Sequence, residues 1–378
     1  GRLYLFRRDS FSRLLVNYYS ILIIQDANQD NRNRHGINLA PAIDTLIREL
    51  EQSGETLRYR ENYLDQLYLF KEQSQLTRVI MLQTTLNQKL FEFLRQSTSP
   101  FHAARTMARM LREAGFEQLF EDQRWSLQPE QRYFVLRDQA SLIAFTLAGP
   151  DSLTAAYRML GTHTDSPGLL LKPRPDISAN DFAQTGVEIY GSPLLSTWFD
   201  RDLSLAGRMT GLDSQGQLVS HLVDIQRPVL MIPSLAIHLD RNLERSAGPD
   251  RQKHLTPIFS QNSTHDEHSF YQWLLTETAE ETKSIPLESI LNTSLFCYDP
   301  QPPALFGAHD EFISGARLDN QLSCFVAALA LTQAQTRQNR LLICSNHEEV
   351  GSTSRSGADS SFLQAIMARI IPDQTDRQ

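Results

Sequence analysis

Apolar positions along the chain recur with two spacings, and the places where one gives way to the other mark the elements. The clearest is the run Leu341, Leu342, Ile343 and Cys344, which stops at Ser345, Asn346 and His347. Two adjacent carboxylates follow, Glu348 and Glu349, and then Gly351. This is the pattern of a buried strand emptying into a loop that carries acids. Helical spacing predicts an amphipathic helix over Leu82 to Leu94 and a second over Pro100 to Glu113. Ser99 suits the N-cap of the second, Pro100 its first position, and Gly115 its stop. Ser141 to Ala148 and Ala155 to Gly161 read as buried strands joined by the turn Gly149 to Asp151. The second of these empties into Gly161 to Pro167. A buried helix over Gln321 to Gln333 precedes the strand Arg340 to Ser345, and Asp359 to Ser361 cap a last helix through Ile371. Strands alternating with helices predict an α/β fold.

Two stretches have another texture. Residues 1–80 mix a weak strand-like pattern at Leu3 to Gln25 with helical spacing over Ile43 to Leu76. They carry no recognisable chemistry, so a boundary is drawn at Met81. From Pro173 to Pro303 short strand-like runs, such as Val187 to Tyr190, Leu203 to Met209 and Leu218 to Ile225, alternate with turns. Asp213 to Gly216 reads as a hairpin connection, Gln261 to His268 as a polar loop, and Phe270 to Leu275 as the start of a helix. The predicted organisation is a leading segment 1–80, a catalytic part 81–172, a β-rich insertion 173–303 and a second catalytic part 304–378.

Composition narrows the function. With 378 residues the chain exceeds one small core. It is 41% hydrophobic and 21% charged, an ordinary soluble balance. A formal net charge of −8 argues against nucleic acid as a partner. No apolar run reaches the ~18 residues of a membrane span, and the stretch Leu14 to Ile24 lacks a cleavage site for a signal peptide. Cys297, Cys324 and Cys344 form no close pair in sequence, which fits a reducing, cytoplasmic setting.

Three loops offer carboxylate and imidazole groups at strand ends, the donors that hard or borderline divalent metals take. The first holds His163 and Asp165, the second Asp319, the third Glu348 and Glu349. Taken singly each has a bland alternative: a structural histidine, a helix cap at Asp319, a solvated turn at the glutamates. Asp165 is placed to hydrogen-bond the far ring nitrogen of His163. Either Glu348 or Glu349 could take a proton from a water beside the metal. The Gly- and Ser-rich stretch Gly351 to Gly357 lacks the ending of a P-loop, and neither a Gly-x-Ser-x-Gly elbow nor a His-Glu-x-x-His helix occurs.

The loops together carry a resemblance. STSPFH at Ser97 to His102, HTDSP at His163 to Pro167, STWFDRDLS at Ser196 to Ser204, IPSLAIH at Ile232 to His238, GARLDN at Gly315 to Asn320 and HEEVGS at His347 to Ser352 occur in this order. They resemble the aspartyl aminopeptidase (M18) family of metallopeptidases, of the bacterial aminopeptidase 2 type, over about Met81 to Ile371. The resemblance implies a zinc-exopeptidase-like three-layer α/β/α catalytic domain with a β-rich dimerisation insertion. It implies a two-zinc exopeptidase that removes acidic N-terminal residues, Asp or Glu, from peptide substrates. His163, Asp319 and Glu349 would then be metal ligands, Asp319 bridging; Glu348 would be the general base and Asp165 the support of His163. His238 would reach the substrate in a neighbouring subunit's site, within a homo-dodecamer assembled through the insertion. It also implies a cis peptide bond between Asp319 and Asn320. A further Asp and a further His ligand of the family pattern lie beyond Gln378, so this chain is expected to be truncated, with weak metal binding and little activity of its own. The competing expectation is an inactive truncated paralogue that serves as an assembly or regulatory subunit.

Overall fold

The structure is a computed structural model that describes residues 83–149, 156–236, 238–239, 249–261, 269–334 and 338–371. The expectations for residues 1–80, for the turn at Gly149 to Asp151 and for most of the loop Gln261 to His268 lie outside these. The chain divides into two units, residues 1–88 and 89–378, and the account below concerns the second.

A five-stranded mixed sheet forms its frame: β1 (Glu117–Leu119), β2 (Arg132–Arg137), β3 (Ser141–Thr146), β13 (Asn339–Ser345) and β4 (Tyr157–His163), in that order. Strand β3 is buried along its whole length, which explains why SLIAFT is apolar without alternation. Its side chains still take opposite faces in turn. Leu142 and Ala144 join one core with Met107, Leu111, Phe325 and Leu342; Ile143 and Phe145 join another with Phe362, Ile366 and Ile370. Helices therefore cover both faces. On one lie α1 (Pro100–Glu113), α3 (Leu318–Gln333) and the helix ending at Gln96; on the other lies α4 (Phe362–Ile370). This is the three-layer α/β/α arrangement expected.

The ends of α1 follow their residues. Ser99 caps it, its hydroxyl accepting from the His102 amide at 3.4 Å, and Pro100 costs no hydrogen bond in the first turn. The α1 helix stops at Ala114, and Gly115 then takes a positive φ of 82°.

A second, six-stranded sheet holds β5 (Gly168–Ala179), β6 (Phe182–Tyr190), β7 (Ser204–Asp213), β8 (Leu218–Asp224), β9 (Ile258–Gln261) and β10 (Leu287–Tyr298). Its order is β8-β7-β10-β5-β6-β9, and every pair is antiparallel. Helix α2 (Phe270–Glu277) packs Phe270 and Leu274 into its core. Asp213 and Gln217 close the β7–β8 hairpin as expected. The sequence reading did not single out β1, β2, β5, β9 or β10; a short antiparallel pair, β11 (Ala304–Phe306) and β12 (Phe312–Ser314), follows β10. Strand β5 begins at Gly168, ahead of the Pro173 boundary drawn from composition. A small cluster of Phe101, Ala140, Tyr190 and Phe296 lies where the two sheets approach, with Tyr190 edge-on to Phe296 at 5.1 Å.

Candidate metal centre

The parallel pairing of β13 with β4 sets the site. Ser345 lies opposite His163, so the loops leaving both strands emerge side by side at their C-terminal ends. Thr164 anchors this edge by donating its amide to Ser345 O at 2.8 Å and its hydroxyl to Ala140 O at 2.7 Å. The start of α3 joins this edge, where Asn320 Oδ1 accepts from the His163 amide at 3.5 Å. There Arg317 has a left-handed φ of 60°, Asp319 and Asn320 are non-helical, and the Asp319–Asn320 peptide bond is cis, as expected. The N-cap position of this helix falls on Arg317, which makes no side-chain cap, and Asp319 follows it inside the first turn. Ser166 instead donates to the Asp319 carbonyl at 2.6 Å, and Gln321 donates to Thr164 O.

Three groups converge here. One ligand atom from each of His163, Asp319 and Glu349 lies within 4.8 Å of the others. His163 Nε2 stands 3.4 Å from Asp319 Oδ1 and 3.8 Å from Glu348 Oε2. Bonds of about 2.0–2.1 Å at tetrahedral angles separate ligand atoms by about 3.4 Å, the separation of His163 Nε2 and Asp319 Oδ1, and an imidazole with two carboxylates is a donor set that zinc takes.

Asp165 is fully buried and organises the cluster without facing it. Its backbone carbonyl lies 3.0 Å from His163 Nδ1, and its carboxylate 3.4 Å from the same atom. The carboxylate accepts from the Tyr190 hydroxyl at 2.7 Å and from the amides of Glu348 at 3.3 Å and Glu349 at 3.2 Å. One buried carboxylate thus fixes the imidazole and the glutamate turn together. That turn is a single 3₁₀ segment, Glu348–Val350, entered through His347 at φ 64°. Gly191 lies against it: a Cβ there would meet Glu349 Cβ and Oε2 at 3.0 Å, and its own φ is 69°.

The electrostatics of the cluster follow from its crowded charges. Burial pulls the His163 ring down, but the hydrogen bond and charge of Asp165, then the charge of Glu348, outweigh it and lift the ring up to about 9. Burial raises the Glu349 carboxyl; the His163 charge opposes this, while Asp165, Asp319 and Glu348 add to the rise. Burial would raise Asp165 too, yet its hydrogen bonds from His163, Tyr190 and Glu349 hold it below the ordinary carboxylate range. A divalent ion would relieve the crowded carboxylates and displace the proton from His163.

Of the residues singled out in the sequence, the structure brings His163, Asp165, Asp319, Glu348 and Glu349 together. It leaves His238 apart, in an exposed turn beyond Ile232, with no described bond to the cluster. Sequence reasoning passed over Tyr190, Gln321 and Gly191. Tyr190 and Gly191 come from the end of β6 and Gln321 from α3 two residues after Asp319, and their only signal was a position at the end of a strand or the start of a helix. Beside Asp319 opens a cavity of about 600 Å³, lined in part by Ser166, Pro167, Trp198, Arg201 and Arg317. Arg201 pairs with Asp299 rather than with its neighbour Asp202.

Comparisons with known proteins agree on a family. The model described as "Aminopeptidase I zinc metalloprotease (M18)" matches residues 93–378. A probable M18 family aminopeptidase 2 of Azotobacter vinelandii is 43% identical over 292 residues, which cover 77% of this chain and 68% of that protein. One from Pseudomonas aeruginosa is likewise 43% identical over 292 residues, with the same coverage. Among solved structures, the chain resembles one in the Ape4–Nbr1 complex, with a TM-score of 0.71 and 34% identity, covering 76% of this chain and 59% of that one. It also resembles Chaetomium thermophilum mApe1, with a TM-score of 0.67 and 28% identity, covering 75% and 67%.

Proposed function

This chain belongs to the M18 family of zinc metalloproteases, and from that premise we propose that the intact protein is a cytoplasmic aminopeptidase that removes acidic first residues from peptides. The observation that carries the proposal is the convergence of His163, Asp319 and Glu349, with the Glu348 carboxylate on their open side. His163, Asp319 and Glu349 would hold zinc, with Asp319 as the carboxylate shared by a pair of ions. When bound, zinc would polarise the scissile carbonyl and make a water acidic.

The protein's own residues do the rest. Glu348 has an exposed carboxylate beside the ligands and takes the proton from the attacking water, then passes it to the leaving amine. Asp165 holds the His163 ring so that Nε2 faces the cluster, and its bonds to two amides hold Glu348 and Glu349 in register. The 600 Å³ cavity beside Asp319 receives the substrate. We also propose self-association through the six-stranded sheet; the Saccharomyces cerevisiae mApe1 dodecamer is a structure of this fold. In such an assembly the exposed His238 is free to reach a neighbouring site. The intact Glu348 speaks against an inactive scaffold.

Glu348→Gln tests the mechanism on chromogenic amides of Asp, Glu and Ala. Activity is expected to fall by about 10²–10⁴-fold with zinc content unchanged. Equal activity in the variant would remove Glu348 from the role, and wild-type turnover of the Ala amide matching that of the Asp amide would remove the acidic preference.

A further inference from the structure

Beneath the candidate metal centre, the three elements that carry its ligands meet through sulfur. Thr162 precedes His163 on β4; Cys324 lies on α3 in the turns after Asp319; Cys344 lies near the end of β13, just before the loop of Glu348 and Glu349. The Thr162 hydroxyl stands 3.3 Å from Cys324 Sγ and 3.0 Å from Cys344 Sγ. One hydroxyl therefore touches both thiols. Cys324 donates its S–H to the His163 carbonyl at 3.1 Å, and Cys344 Sγ packs 3.7 Å from Met107 Sδ. Both cysteines are fully buried, whereas Cys297 sits in the separate core of the second sheet.

We propose that Cys324 and Cys344 form a reversible disulfide when the protein meets hydrogen peroxide, and that this bond governs the metal centre. The pair is spread widely in sequence but shares the Thr162 hydroxyl in the fold, so an S–S bond of about 2.05 Å needs the two sulfurs to close across that one group. Peroxide is small enough to enter where a protein oxidant is not. One thiol attacks it: an S–O bond forms, the O–O bond breaks, and the products are a sulfenic acid and water. The second thiol displaces that hydroxyl, forming S–S and releasing a second water. Two electrons have passed from the thiols to the peroxide.

The consequence follows from where the sulfurs sit. Oxidation removes the S–H that holds the His163 carbonyl and both sulfur partners of Thr162 in their present form. It also draws α3 toward β13, which moves Asp319 relative to Glu349. This second half of the proposal rests on the metal-centre reading; the disulfide itself does not.

The test uses the full chain, with zinc alone as the probe. Protein is exposed to peroxide, denatured, alkylated and digested without reductant, and zinc affinity is measured in parallel before and after. The expected result is a peptide pair linked through Cys324 and Cys344, Cys297 alkylated, and a zinc dissociation constant raised about tenfold and restored by dithiothreitol. Cys344→Ser is expected to show no linkage and no change in zinc affinity on peroxide treatment. Recovery of Cys324 and Cys344 as alkylated free thiols in the wild type would overturn the proposal. Linkage with unaltered zinc affinity would overturn the coupling to the metal centre. Absence of zinc binding in the reduced protein would count against the metal-centre reading, and the peptide map would still decide the disulfide.

Discussion

At the scale of single residues, the site depends on side chains that never touch a substrate. Asp165 is the central case: one buried carboxylate takes the His163 ring, the Tyr190 hydroxyl and two amides of the glutamate turn. Gly191 is the steric counterpart. Its positive φ and its 3.0 Å approach to Glu349 leave no room for a side chain. Gly191→Ala is expected to keep the fold, judged by circular dichroism, but to weaken zinc binding about tenfold or more by titration calorimetry. Unchanged zinc affinity would show that Glu349 is not held there. The ligand candidates were legible in the sequence because each sits in a polar loop directly after an apolar run. Tyr190 and Gly191 were not, because a tyrosine and a glycine closing a strand have the same local pattern whatever they face across the fold. The role expected of His238 depends on a second subunit, which one chain does not supply.

At the scale of elements, local chemistry made some boundaries readable. The Ser99–Pro100 start of α1 and the Gly115 stop follow from backbone rules alone. The strands that escaped are instructive. In β10 the first half is largely exposed and the last four residues are buried, so no period-two alternation runs through it. Tertiary pairing with β7 and β5 decides that strand instead. The start of α1 also carries a pH response. His102 is buried, its Nδ1 lies 2.7 Å from Ser99 Oγ, and burial followed by the charges of Arg105 and Arg317 lowers its pKa to about 3. The unfolded chain titrates near 6.5, so it binds the proton first as pH falls. Stability is therefore full above pH 6.5 and is lost between 6.5 and 3, at about 1.4 kcal/mol per pH unit from this group. Urea unfolding at pH 7 and pH 5 measures the loss. In His102→Asn the dependence should flatten by that amount, and an unchanged slope would assign the acid sensitivity elsewhere.

At the scale of the whole molecule, a mixed sheet between helical layers presents the chemistry at the ends of β4 and β13, and a second sheet stands beside it with its own core. The α/β class and the β-rich middle were legible from texture, since fully buried strands are apolar throughout and half-exposed ones are not. The exact edge of the inserted sheet was not legible, because β5 begins before Pro173 and continues past it, with only a register shift in its pairing with β6 between Leu171 and Asp176. Among the described residues, no helix is long and apolar enough to cross a membrane. The chain spans 68% of the bacterial relatives it matches, and the part seen here brings together an imidazole and two carboxylates from three separate segments. That convergence is tested most directly by diffraction at the zinc absorption edge from crystals grown with zinc. The account predicts an anomalous peak within bonding distance, about 2.0–2.2 Å, of His163 Nε2 and of carboxylate oxygens of Asp319 and Glu349. Strong zinc peaks elsewhere, with none between these three side chains, would contradict it.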